Sequence, residues 1–262
     1  MIFFIDVQGT LIDDKDKKPI VGAVEFINSL NKNRTPYIVI TNNTKYHSKD
    51  FLNYLNSLGF DIQKKNYIDP LMVLKDLIKT EKIAPFGTKN FLEIIENLGY
   101  ILDYKNPQNI LISVKEDYNN SDFAQMIELL LQGAKLYGMH ATSMYVKDNK
   151  RYPGVGAILS MLSYAVGVDY EVVGKPSLNF YKKAAKKIED LIKKEVSFKD
   201  ITIISDDAKG DLLGAKRAGM KTILVLSGKI KDKKELSFFK KDDMPDMVFK
   251  NIKEIGRYLG VL

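Results

Sequence analysis

The sequence predicts an α/β protein built on a parallel sheet, with a second α/β segment inserted into it. Three observations carry this. Strand and helix signals alternate along the chain, which favours parallel α/β over segregated α+β architecture. Several short apolar runs end abruptly in polar residues, as buried strands do when they deliver side chains to one sheet edge. No low-complexity linker flanks the middle of the chain, so the segment from about Pro70 to Tyr170 reads as an insertion and not as a tandem domain.

The elements follow in order. Ile2 to Ile5 is an apolar run that stops at Asp6 and turns through Gln8-Gly9-Thr10. Asp13-Asp14-Lys15-Asp16 is a polar turn, and Val21 to Leu30 has helical spacing. Tyr37 to Ile40 is a second strand, ending in Thr41-Asn42-Asn43-Thr44, and a helix from about Ser48 to Leu58 is closed by Gly59. In the insertion, Leu71 to Lys79, Asn90 to Leu98, Asp122 to Gln132 and Ala157 to Val166 are expected helices; Asn109 to Val114 and Lys135 to Ala141 are expected strands. The last third returns to the first pattern. Gly174-Lys175-Pro176 precedes a basic helix, Asn179 to Lys193. A strand over Ile201 to Ile204 ends in Ser205-Asp206-Asp207, and a helix runs from about Asp211 to Ala218. Thr222 to Leu226 is a strand, Met247 to Phe249 an edge strand, and Ile252 to Leu259 a closing helix.

Bulk properties exclude several functions. At 262 residues the chain can bury one large core or two modest ones. It has no cysteine, so disulfides, thiolate metal sites and a cysteine nucleophile are excluded. Its formal charge is +7, but the lysines are scattered and no nucleic-acid motif is present, so no nucleic-acid partner is expected. No apolar run approaches the roughly 18 residues of a membrane span, and the N-terminus lacks the basic region of a signal peptide. A cytoplasmic protein without a membrane partner is the expectation.

The chemistry lies at the strand ends. Asp6, Thr41 and Asp206 each follow an apolar run, and Lys175 sits in a Gly-Lys-Pro turn near a fourth. Together and in this order, these residues resemble the four motifs of the haloacid dehalogenase superfamily. Asp6-Val-Gln8-Gly-Thr10 resembles the first, Asp-x-Asp-Gly-Thr; Thr41-Asn42-Asn43 the second; Lys175 the third; and Ser205-Asp206-Asp207-Ala-Lys-Gly-Asp211 the fourth. Val173 to Ser177, Gly214 to Gly219, Thr222 to Gly228 and Pro245-Asp246 resemble one branch in particular, the NagD-like or p-nitrophenyl phosphatase subfamily. The likeness spans nearly the whole chain and is weakest in the insertion.

The resemblance implies a doubly wound α/β core over 1–70 and 171–262 with an α/β cap domain over 71–170. It implies a Mg²⁺-dependent phosphatase acting on a small phosphorylated metabolite, with Asp6 as nucleophile. Thr41, Asn42 and Lys175 would bind phosphate, and Lys175 would also keep Asp6 ionised. Asp6, the backbone carbonyl of Gln8 and Asp206 would hold the metal, with Asp211 binding through a water or orienting Lys175. Relatives often dimerise through the cap, so a homodimer is among the expectations.

The pattern breaks at Gln8. The family places its general acid/base carboxylate there, and an amide cannot move a proton; losing such a group costs about 10²–10⁴-fold. Asp13 and Asp14 are the nearby candidates to replace it, although they lie beyond the turn, where a solvated role is the plainer expectation. The expectation is therefore a slow phosphatase, with a catalytically impaired phosphometabolite-binding or interaction module as the alternative. Ser205 replaces the usual Gly, which adds a side chain to the metal loop. In the cap, Ala141 to Tyr145 lacks the acidic residue that relatives carry, so substrate preference does not transfer. Tyr145, Lys147, Lys150 and Arg151 either face an anionic substrate or form a solvated loop. His47 and His140 do not suggest a metal cluster, though either has a reference pKa suited to proton shuttling.

Overall fold

The first strand, β1 (Ile2–Asp6), is buried along its whole length, as a run apolar on both faces must be at the centre of a parallel sheet. The structure is a computed structural model describing residues 1–147 and 150–262. The chain packs as two units: Met1–Thr41 with Lys49–Ile68 and Tyr181–Leu262, and Asn42–Ser48 with Asp69–Phe180. The sequence placed the joins at 70/71 and 170/171. Packing sets them at 68/69 and 180/181 and groups 42–48 with the inserted segment, so Lys175 belongs to the second unit.

In the first unit, α1 (Ala23–Lys32), β2 (Tyr37–Ile40), α2 (Ser48–Ser57) and β3 (Tyr67–Ile68) follow β1. The inserted segment then contributes α3 (Pro70–Leu77), β4 (Lys82–Phe86), α4 (Lys89–Asn97), β5 (Ile101–Leu102), β6 (Asn109–Ile112), α5 (Asn120–Leu131) and β7 (Lys135–Gly138). A hairpin, β8 (Met144–Lys147) and β9 (Lys150–Pro153), leads to α6 (Val155–Val166) and β10 (Tyr170–Val172). The chain closes with α7 (Leu178–Ile192), β11 (Ile201–Ser205), a π turn (Ala208–Leu212), α8 (Leu213–Arg217), β12 (Lys221–Val225), β13 (Met247–Phe249) and α9 (Ile252–Tyr258).

The first unit's sheet has the order β13-β12-β11-β1-β2-β3, all parallel. From β1 the chain builds outward through β2 and β3, then returns to the other side and builds through β11, β12 and β13. The order therefore reverses between β1 and β11. In open α/β sheets that reversal leaves a crevice at the carboxyl ends of the two strands, where ligands bind. Phe3, Ile5, Phe26, Ile27, Tyr37, Val39, Leu55 and Ile255 are among the side chains packed on one face of this sheet.

The second unit has its own parallel sheet, β10-β7-β6-β4-β5. Its core joins Ile110, Ile112, Met126, Leu136, Leu159 and Leu162. The sequence reading did not foresee β4, because Pro85 argues against an inner strand. The structure resolves this: β5 pairs only with Lys82 and Ile83, so β4 has one neighbouring strand at Pro85. The Pro85 carbonyl is taken by the Tyr104 hydroxyl at 2.7 Å. Among the described residues, no helix is long and apolar enough to cross a membrane.

Candidate active site

Asp6 is the last residue of β1 and is 4% exposed. Beyond it the chain turns sharply, because the Val7 carbonyl accepts from the main chains of Thr10, Leu11 and Ile12 at 3.3, 2.8 and 3.0 Å. Gly9 makes this turn at φ +70°, and a Cβ there would lie 2.2 Å from Asp206 Oδ2. Both the backbone angle and the close approach require glycine. The turn brings the Gln8 side chain to Thr41, whose hydroxyl donates to Gln8 Oε1 at 3.1 Å. Thr41 follows β2 and is fully buried. Thr10 Oγ1 is buried without a hydrogen-bond partner among the described residues.

Asp206 follows β11, the strand beside β1, and is 2% exposed. Adjacent strands of one register thus end in two buried carboxylates at the point where strand order reverses. Burial, and then the neighbouring Asp6 charge, push the Asp206 carboxyl well above its ordinary range, against the opposing pull of Lys229. The main chain of Lys229 donates to Asp206 Oδ2 at 2.6 Å, and its ammonium pairs with Asp207. Burial works against that ammonium, but the charges of Asp207, Asp206 and Asp211 prevail and raise its pKa.

The fourth motif is folded as a π turn, not as the helix expected from Asp211 onward. Asp211 and Leu212 both donate to the Asp207 carbonyl at 3.1 Å, which widens the turn before α8 begins. Ser205 does not crowd this loop. Its hydroxyl donates to Asp211 Oδ2 at 2.8 Å and accepts from the Asp207 main chain at 3.1 Å. Tyr181, on α7, is fully buried and donates to the Asp211 carbonyl at 3.3 Å. Burial, then Asp211 and Asp6, raise its phenol well above the ordinary range.

Asp13, beyond the turn, is engaged by its own loop. Its carboxylate accepts from the main chains of Lys15, Asp16 and Lys18. Burial raises its pKa, but those donors and the Lys17 charge together outweigh it and lower the pKa, which weakens Asp13 as a base. Asp14 is exposed and pairs with Lys17.

The remaining motif residues lie in the second unit. Lys175 is 2% exposed, and its main chain donates to Asn42 Oδ1 at 2.9 Å. That bond fixes the amide's orientation, since a main-chain N–H needs an acceptor, and it leaves Asn42 Nδ2 as a donor. Asn43 is held within its own loop, its Nδ2 donating to the Tyr46 carbonyl at 2.8 Å. Under the loop sits Asp69, with no exposed surface, accepting from Ser48 Oγ at 2.9 Å and capping α3 through Met72 N. His140 is buried, and its Nδ1 accepts from Thr142 N at 3.4 Å. Tyr145 stacks on Tyr152 across the hairpin with ring centroids 5.5 Å apart, while Lys150 and Arg151 are exposed. Asp148, Asn149 and the Lys147 side chain lie outside the described residues.

The structure thus gathers Asp6, Gln8, Thr41, Asp206 and Asp211 in one unit and Asn42 with Lys175 in the other. Sequence reasoning missed Lys229, Tyr181 and Asp69. Lys229 could have been found, since it directly follows the Ser227-Gly228 pair singled out at the end of an apolar run. In the sequence, Asp69 shows only as a helix cap before Pro70, and Tyr181 only as an apolar position of α7.

Two family models match. Residues 3–101 fit the one described as haloacid dehalogenase-like hydrolase, and residues 172–255 the one described as HAD-hydrolase-like. The chain belongs to the haloacid dehalogenase-like hydrolases. It is 29% identical over 229 residues to mouse haloacid dehalogenase-like hydrolase domain-containing protein 2, covering 87% of this chain and 84% of that protein. It is 27% identical over 241 residues to human phospholysine phosphohistidine inorganic pyrophosphate phosphatase, covering 88% and 84%. Among solved structures, the p-nitrophenyl phosphatase of Archaeoglobus fulgidus has a TM-score of 0.82 at 21% identity and 98% coverage of both chains. NagD of Escherichia coli K-12 has a TM-score of 0.77 at 21% identity and 96% coverage of both. This hydrolase therefore shares the fold of the NagD-like branch to which its motifs pointed.

The site of this hydrolase suits a hard divalent cation. Two buried carboxylates repel each other at adjacent strand ends, and carboxylate oxygen is what Mg²⁺ prefers, with water filling its other positions. Among the described residues, no three Asp, Glu or His side chains gather into a metal cluster. Asp6 and Asp206 are the buried carboxylates at these two strand ends, while one oxygen of Asp211 is already held by Ser205.

Proposed function

We propose that this hydrolase is a Mg²⁺-dependent phosphatase of small phosphate monoesters, acting through an aspartyl-phosphate on Asp6 and slowed by Gln8. The observation that carries the reading is the pair of buried carboxylates, Asp6 and Asp206, at the reversal point of the sheet. A bound Mg²⁺ would neutralise charge on the phosphoryl oxygens.

In the first step a carboxylate oxygen of Asp6 attacks phosphorus, the P–O ester bond breaks, and the alcohol leaves with a proton drawn from water. In the second, water attacks phosphorus, the bond to Asp6 breaks, and inorganic phosphate departs with the carboxylate restored. Gln8 can orient a water or donate a hydrogen bond, but it can neither deliver the first proton nor accept the second. Good leaving groups relieve only the first step. Asn42 enters as an amide donor to phosphate, supported by the orientation its bond to Lys175 N imposes. Lys175 enters through motif order. The phosphatase names of the relatives support the reaction class, and the substrate we propose is a small phosphorylated metabolite. Dimerisation through the inserted unit is a further proposal from the resemblance.

A second reading is favoured by one observation: Thr41 spends its hydroxyl on Gln8. A protein that binds a phosphometabolite without turning it over would tolerate that arrangement. The experiment is hydrolysis of p-nitrophenyl phosphate with Mg²⁺ by the parent and Asp6→Asn, with rapid-quench detection of an acid-stable phosphoprotein. A burst followed by slow turnover, both lost in Asp6→Asn, is the expected result. No hydrolysis and no phosphoprotein in the parent would sink the enzyme reading and leave the binding module.

A further inference from the structure

Lys229 contacts two successive acidic residues of the metal loop. Its main chain donates to Asp206 Oδ2 at 2.6 Å, and its ammonium pairs with Asp207 Oδ2. Asp207 is fixed in turn by accepting from Gly210 N at 2.7 Å. The approach is close enough to exclude a side chain at the preceding residue, since a Cβ on Gly228 would lie 1.9 Å from Asp206 Oδ2. Ser227 anchors the same segment to the nucleophile turn, its hydroxyl donating to the Gly9 carbonyl at 2.7 Å. The ammonium is therefore held in place by a segment tied to both strand ends.

Its position has an electrostatic consequence. Asp6 and Asp206 cannot both stay ionised at low cost when buried side by side. A positive charge in the same cluster offsets that cost. A divalent cation on the same carboxylates would offset it too, so the two cations stabilise the same groups and repel one another.

We propose that Lys229 is a built-in counter-cation for the carboxylates at the end of β11, holding the loop in shape without a divalent ion and setting how tightly that ion binds. The inference rests on reading Asp6 and Asp206 as the Mg²⁺ ligands. Lys229 is a positioning residue here and touches no reacting atom.

The test is Mg²⁺ binding by calorimetry on the full chain without substrate, paired with thermal unfolding in EDTA and in saturating Mg²⁺. Lys229→Met keeps the stem and the main-chain donor and removes the charge; Lys229→Arg keeps the charge. Lys229→Met is expected to bind Mg²⁺ roughly tenfold more tightly. It should unfold at lower temperature than the parent in EDTA and regain most of that difference in Mg²⁺, while Lys229→Arg follows the parent in both. If Lys229→Met does not fold without metal, recovery of folded protein in Mg²⁺ supports the proposal. Failure to fold with and without Mg²⁺ overturns it, as does unchanged or weakened Mg²⁺ affinity in a folded Lys229→Met. Asp206→Asn separates the two readings. A parent that binds Mg²⁺ and an Asp206→Asn variant that does not uphold the ligand assignment whatever Lys229 does. Binding that appears only in Lys229→Met supports the counter-cation, and no binding in any variant overturns both.

Discussion

The Thr41 hydroxyl donates to Gln8 Oε1 at 3.1 Å, so the residue that departs from the family pattern is tethered by the residue that opens the second motif. The tether holds an amide where the proposed mechanism calls for a carboxylate to transfer the proton. Gln8→Asp places a titratable group on the same turn, one methylene shorter than the amide it replaces. Turnover of p-nitrophenyl phosphate is expected to rise about 10²–10⁴-fold, the usual worth of a general acid/base. Steady-state assays on parent and variant measure this, and an unchanged rate would show that the missing carboxylate is not what limits the enzyme.

Asp69 supports the loop that carries Asn42. It has no exposed surface and accepts from Ser48 Oγ and Met72 N at 2.9 and 3.2 Å, with Asn43 Nδ2 at 3.5 Å. Asp69→Ala removes a helix cap and the acceptor of the half-buried Ser48 hydroxyl, a loss of about 1–3 kcal/mol. Asp69→Asn keeps an oxygen acceptor and should lose less. Urea unfolding of both, with inorganic phosphate binding alongside, measures the effect; equal losses in the two variants would contradict a role through hydrogen bonding.

What the sequence made legible follows from where information is local. The four strand ends were readable because a buried parallel strand is an apolar run and its exit is polar, as in Ile2–Asp6 and Ile201–Ser205. Asp69 and Tyr181 were not readable: one looks like an ordinary cap before Pro70, the other like any apolar position of α7, and their meaning comes from long-range partners. The π turn over Ala208–Leu212 was hidden because its residues fit an α-helix equally well, and only the two hydrogen bonds accepted by the Asp207 carbonyl select the wider turn. The strand over Lys82–Phe86 was obscured by Pro85, whose tolerance depends on how short β5 is.

Ser205 gives a third prediction. Its fully buried hydroxyl bridges Asp211 Oδ2 and the Asp207 main chain. Ser205→Ala leaves both without that partner and should cost about 1–3 kcal/mol. Ser205→Gly restores the family residue yet adds a backbone-entropy loss of roughly 0.5–1 kcal/mol in a strand. Chemical denaturation should rank parent, Ala and Gly in that order. A Gly variant as stable as the parent would mean that the loop closes on its own.

The last prediction concerns acid. Asp246 joins three elements: its Oδ1 accepts from Lys216 Nζ at 2.6 Å, and its Oδ2 from both the main chain and hydroxyl of Thr222 at 2.8 Å. Burial raises its pKa, but the Lys216 ammonium and the Thr222 donors outweigh that and lower it below the ordinary 3.8. A carboxyl depressed in the folded state stabilises the protein above its unfolded pKa, and that stability is lost as pH falls through the folded value. The side chain is 41% exposed, so solvent screening limits its worth. Asp246→Asn should therefore cost about 1 kcal/mol at pH 7. The gap to the parent should narrow once pH drops below about 4, where the carboxyl of the unfolded parent begins to protonate ahead of the folded one. Urea midpoints for both proteins at pH 7 and pH 3 decide it. A gap of the same size at both values would place the effect in packing and not in the charge.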